Sequence, residues 1–294
     1  MSASLMHRPS RRSRGFYLAA IAGCVALAVP AAAATRKSSA RPACQLETIA
    51  TGTVKTVVDG RTFVLADGRE VRLAGIEVPP LPAPATSAAA AHDANNASTE
   101  PALAATAALQ ALVGGHEVSL KHPKLVTDRY GRIVADAVAA GAESGSVVKS
   151  LLSQGHARLA AHPGEAACVA DLRTAERAAR AQKLGLWGDP RYLPKPADDP
   201  AVVLAERGRF TLVEGKVVSV RDSGGTIYMN FGQRWSEDFT VTILKRNERA
   251  FTAAGLAVRS LAGRRVLVRG WIEERGGPWI EATGPEQIEL IADK

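Results

Sequence analysis

The chain is short of aromatic residues, of cysteine and of familiar catalytic signatures, and each shortage narrows what it can do. Phe, Trp and Tyr together make up 5% of its 294 residues. A G-x-x-x-x-G-K-[ST] phosphate loop is missing, as is a G-x-S-x-G nucleophile elbow, which argues against P-loop and α/β-hydrolase chemistry. His92, His116, His122, His156 and His162 show no ligand spacing, and His156 and His162 fall at expected turns. Three cysteines, widely scattered, make no metal motif. Apolar residues are in ordinary supply at 46%, so the length suits two modest folded domains.

The first 34 residues lack acids and lysine altogether. Arg8, Arg11, Arg12 and Arg14 precede an uncharged, Ala-rich run from Gly15 to Ala34 with small residues at its end, the pattern of a secretory signal over residues 1–34. A retained anchor is the alternative, because the run is about long enough to span a bilayer. Arg11-Arg12 is not followed by the Phe of a twin-arginine signal. Ile21-Ala22-Gly23-Cys24 has the look of a lipoprotein box, but the residues after Cys24 stay apolar. Removing four arginines from a net charge of +8 leaves +4, a weakly basic protein rather than a polycation. Cys24 would leave with the signal. Cys44 and Cys168 then form an even pair in an exported chain, which suits a disulfide, with two free thiols as the alternative.

Residues 35–46 read as a linker. Alternating and β-branched runs broken by Asp-Gly pairs follow: Gly52–Leu65, a turn at Asp67-Gly68, then Val71–Pro80. A Pro-rich and then Ala/Ser/Asn-rich stretch to Thr99 reads as an exposed loop, with a glycosylation sequon by letter at Asn96-Ala97-Ser98. Pro101 and Gly114-Gly115 bracket a helix with Leu103, Leu109 and Leu112 on its buried side. Strands at 117–121 and 133–139 flank Asp128-Arg129-Tyr130-Gly131-Arg132. A helix at 146–154, a short extended piece at 157–159 and a helix at 168–183 complete residues 47–190. A Pro/Asp-bearing linker over 191–208 leads to a β-rich unit, 209–294, with strands at 210–220, 226–231, 238–244, 265–272 and 279–282 and a helix near 248–257.

The runs at 52–80 and 128–132, with Glu176-Arg177-Ala178 and Gly185-Leu186-Trp187, resemble the staphylococcal-nuclease-like (thermonuclease) family over roughly residues 50–190. Residues 209–294 resemble the OB-type extension of some exported relatives. The resemblance implies a β-rich α+β fold: an OB-fold barrel with packed helices, then a second OB-like β-barrel. It also implies phosphodiester chemistry in which two aspartates and a carbonyl hold Ca²⁺, two arginines grip phosphate and a glutamate acts on water. Arg72 and Arg132 fall on the arginine positions, beside Tyr130, and Asp59 on the first motif aspartate. The other positions depart. Arg61 stands at the principal metal-ligand position, Glu77 at the second and Pro80 at the general base. A guanidinium repels a divalent ion and proline takes no proton, so the expectation is an anion site without turnover and without a metal cofactor. Arg61 would pair with Glu77 or Asp59. A rescue would place Asp93 or Glu100 as the base. The expected partner is nucleic acid or another anionic polymer. An active nuclease hydrolysing DNA or RNA is one alternative. A periplasmic or secreted module binding an envelope protein or glycan is another.

In the second unit Arg221, Lys245, Arg246, Arg264, Arg265 and Arg269 with Tyr228, Phe231 and Trp235 could form a basic aromatic face. Thirteen basic against eleven acidic residues in 209–294 weaken that reading, and buried tryptophans among Trp235, Trp271 and Trp279 are its rival.

Overall fold

In the first half of the chain, alternation of buried and exposed side chains closes a barrel. The computed structural model describes residues 44, 46–81, 99–140, 145–164, 166–234 and 236–292. The signal, Cys24, the glycosylation sequon, Asp93 and Trp235 lie outside these residues. The elements run β1 (Glu47–Asp59), β2 (Thr62–Leu65), β3 (Glu70–Leu73), β4 (Ile76–Glu77), α1 (Glu100–Val113), β5 (Glu117–His122), β6 (Ile133–Ala139), α2 (Val147–Ser153), β7 (Arg158–Leu159) and α3 (Ala166–Ala181). The ring order is β1-β2-β3-β6-β5, with β3 and β6 parallel and the other pairs antiparallel. In β6 every second residue from Ile133 to Ala139 is buried, so one face fills the barrel. Phe63, Leu65, Leu73, Leu109, Leu120, Leu151 and Leu159 are fully enclosed, each stabilising the fold by about 1.5–3 kcal/mol.

Helix α1 presents Ala102, Ala105, Leu109 and Val113 to this core. Leu103, expected on that side, is 56% exposed because it lies on the opposite arc of the turn. The small face has a use: a Cβ at Gly60 would meet the Ala105 Cβ at 2.7 Å, so the β1–β2 turn presses directly on the helix. Cys44 and Cys168 are joined by a disulfide across 124 residues, tying the start of the barrel to α3.

The segment expected as a linker is ordered. It holds β8 (Lys195–Pro196), parallel to β9 (Phe210–Lys216), and α4 (Pro200–Leu204), whose Val203 is fully buried. Then follow β10 (Ser219–Ser223), β11 (Thr226–Asn230), β12 (Thr240–Leu244), α5 (Lys245–Ala253), β13 (Arg265–Trp271), β14 (Glu273–Arg275), β15 (Gly277–Glu281) and β16 (Ile288–Leu290). The strand expected at 210–220 breaks into β9 and β10, and β13–β14 bends at Ile272, which divides these strands between a five-stranded and a four-stranded sheet. Both sheets enclose one core that includes Phe239, Val241, Ile243, Phe251 and Val268.

Taken through the bends, the second set repeats the order of the first. β9/β10 pairs β11, β11 pairs β12, β12 lies parallel to β15, β14 pairs β15, and β13 returns to β9. Each set carries its helix between the third and fourth strands of the ring, as OB-type barrels do.

The two sets meet along α3. Ala179, Trp187, Phe210, Leu212 and Leu267 form a shared apolar cluster. Beside it Arg269 of β13, fully buried, donates to both carboxylate oxygens of Glu176, at 3.1 and 2.8 Å, and to the Leu159 carbonyl at 2.9 Å. Glu289 of β16, 2% exposed, accepts from Arg177 at 2.6 Å and Arg180 at 3.3 Å. Arg269 is therefore no part of an exposed basic face, and Phe231 is buried against Phe239 with ring centroids 4.9 Å apart. Both side chains serve the interior because their strand faces turn inward.

Candidate anion site

The β1–β2 turn, the facing strand β3, the short pair β4–β7 and the 128–132 loop converge on one patch. The turn is closed by Asp59, whose Oδ1 accepts the Arg61 backbone N–H at 2.8 Å. Asp59 thus holds the Arg61 main chain, while the guanidinium turns to β4. The Arg61 side chain donates to Glu77 and, at 3.2 Å, to the Ile76 carbonyl. Of the two expected partners, Glu77 takes the charge; both side chains are about one-sixth exposed.

The 128–132 loop is an Asx turn with its tip at Gly131, which has φ of 81°. Asp128 Oδ1 accepts the backbone N–H groups of Tyr130 and Arg132, at 2.9 and 3.1 Å, and Oδ2 accepts the Arg132 Nε at 2.8 Å. Burial opposes ionisation of Asp128, but the Arg132 hydrogen bond and the two amides outweigh it and lower its pKa. Arg132 is held in turn: Asp128 raises its pKa, Glu70 lies 3.8 Å from its Nη1, and Tyr130 covers it, ring centroid 5.1 Å from Cζ. Tyr130 itself is 66% exposed.

Arg72 differs from both. It projects from β3 at a register position between Thr62 of β2 and Val134 of β6. Half-buried, its guanidinium makes no hydrogen bond or ion pair among the described residues. Burial lowers its pKa first, and the positive charges of Arg61 and Arg132 lower it further, while Glu77 and Asp128 oppose them. Arg72 thus lies among cations whose own carboxylates are already engaged.

Pro80 is exposed, three residues beyond the end of β4. Glu100, one of the two carboxylates expected as a replacement base, sits in the first turn of α1, and the charge it influences is Arg191. Asp93 lies outside the described residues.

Residues 70–189 match the sequence model of the staphylococcal nuclease homologues. This domain is staphylococcal-nuclease-like. The match takes in Arg72, Glu77, Pro80, Asp128 and Arg132, whereas Asp59 and Arg61 precede it. No curated protein matches the chain. In the nuclease-like domain, sequence reasoning missed Arg158. It lies directly opposite Glu77 in the β4–β7 pair and is 8% exposed. The only signal was its place in the short extended piece 157–159.

Proposed function

We propose that the protein is an exported binding protein whose nuclease-like domain grips nucleic acid or another anionic polymer at Arg72 and Arg132, without metal-dependent hydrolysis. The observation that carries this reading is the half-buried Arg72 guanidinium, which has no acceptor among the described residues and feels the charges of Arg61 and Arg132. A phosphate oxygen pair is the natural acceptor for such a planar fork.

Calcium does not fit the residues here. The nearest candidate ligands are Asp59, whose Oδ1 is engaged by a backbone amide, and Glu77, which is engaged by Arg61. A cation placed between them would meet the Arg61 guanidinium. Pro80 offers no proton acceptor for water. Export is supported by the Cys44–Cys168 disulfide, a bond that persists in oxidising compartments. Among the described residues no helix is long and apolar enough to cross a membrane.

Fluorescence anisotropy with a labelled single-stranded oligonucleotide tests the grip. Affinity should fall steeply with salt. Arg72→Ala should weaken it about tenfold to a hundredfold, the weight of a charge-assisted hydrogen-bonded pair. Absence of binding at roughly 50 mM salt refutes the grip. Cleavage of the oligonucleotide that a chelator abolishes, and that Arg72→Ala also removes, refutes the non-hydrolytic part.

A further inference from the structure

Arg158 is a buried cation without an acceptor among the described residues. Its Nε is enclosed with no hydrogen-bond partner, and no hydrogen bond or ion pair from its guanidinium occurs among the described residues. The carboxylates whose charge reaches it are Glu176 and Glu77. Both are committed: Glu176 to Arg269 and the Leu159 amide, Glu77 to Arg61. A cation withdrawn from water in this way is costly unless something else faces it. Here two aromatic rings do. Cζ of Arg158 lies 5.4 Å from the Tyr192 ring centroid and 5.1 Å from that of Phe210.

The row continues onto the second set of strands. Phe210 is register partner to Trp271 in the β9–β13 pair, edge-on to it with centroids 6.3 Å apart. Trp271 is 54% exposed, although β13 is otherwise buried from Val266 to Gly270. At the other end Arg158 stands across from Glu77, in the anion site itself. An indole on the surface, joined through one ring and an unpaired guanidinium to a phosphate grip, offers a stacking surface at one end and positive charge at the other.

We propose that Tyr192, Arg158, Phe210 and Trp271 extend the anion site across both strand sets, and that the ligand is single-stranded nucleic acid, with a base stacked on Trp271 and its phosphates held at Arg158 and Arg72. A polyanion without aromatic groups has nothing to place on Trp271, and a duplex keeps its bases stacked internally. The inference rests on the anion grip at Arg72.

The test uses the full chain and two probes: a fluorescein-labelled oligothymidylate, and inorganic polyphosphate measured by competition. Trp271→Ala should weaken oligothymidylate about five- to 150-fold, the range for one lost base stack, and leave polyphosphate unchanged. Arg158→Met, checked for folding by thermal melting, should lower the log–log salt slope for oligothymidylate by about one. Wild-type affinity for both probes in Trp271→Ala overturns the inference, as does equal weakening for both. Failure of the unsubstituted protein to bind either probe overturns the underlying grip instead.

Discussion

Replacing Arg269 by methionine isolates the cost of an uncompensated charge at the junction of the two strand sets. Arg269 and Glu176 are both fully buried and meet through two side-chain hydrogen bonds. Burial alone would push the Glu176 carboxyl up, but the Arg269 charge and hydrogen bonds, with the Leu159 amide, hold it below its ordinary value. With Arg269→Met, Glu176 keeps the Leu159 amide alone, whereas Glu289 retains Arg177 and Arg180. The loss therefore concentrates on one carboxylate. Breaking a buried pair in this way costs about 3–5 kcal/mol, a large share of the roughly 5–15 kcal/mol that holds a domain together. The assay is urea unfolding followed by tryptophan fluorescence. Adding Glu176→Met to Arg269→Met should restore part of the loss, because it removes the unpaired carboxylate while the Leu159 N–H and carbonyl still lack the partners they had. A single variant less than about 1 kcal/mol below the unsubstituted protein, or a double variant no better than the single, would refute the reasoning.

Two further outcomes follow from other parts of the first barrel. Burial pushes the Asp136 carboxyl up, against the lowering effect of Ser146 and the Val148 and Ala137 amides, so the native state holds that proton more tightly than the unfolded chain. Its contribution is complete below about pH 4 and is lost as pH rises through the native value, so Asp136→Asn should melt higher than the parent at neutral pH, with the gap closing near pH 4; a gap that widens in acid contradicts this. Reducing the Cys44–Cys168 disulfide, which closes a loop of 124 residues, should lower stability by up to about 5 kcal/mol, read as the shift in urea midpoint with reductant; an unchanged midpoint would reject the loop-entropy account.

What could be read in advance was whatever the chain states locally. The alternation at 133–139 appears as β6 without a residue's difference, and Pro101 with Gly114-Gly115 bracketed α1. Site positions were legible as motif letters, but their pairing was not. Arg61 gives its amide to Asp59 and its side chain to Glu77, 16 positions away, a division set by the tertiary fold rather than by the motif. The segment 191–208 carries turn residues because β8 and α4 are short; their order comes from Ala197 and Val203 packing into a distant core. An arginine in a strand such as Arg269 reads as solvent-facing, and the partner that buries it stands 93 positions away.

The engagement of Glu176 by Arg269 has a practical consequence for anyone dissecting the protein. A fragment ending before β9 would keep helix α3 yet leave its Glu176 carboxylate with the Leu159 amide but no Arg269, beside an apolar surface stripped of Phe210, Leu212 and Leu267. Such a piece would aggregate or melt early, and its weak behaviour in any assay would be an artefact of truncation rather than a property of the nuclease-like half.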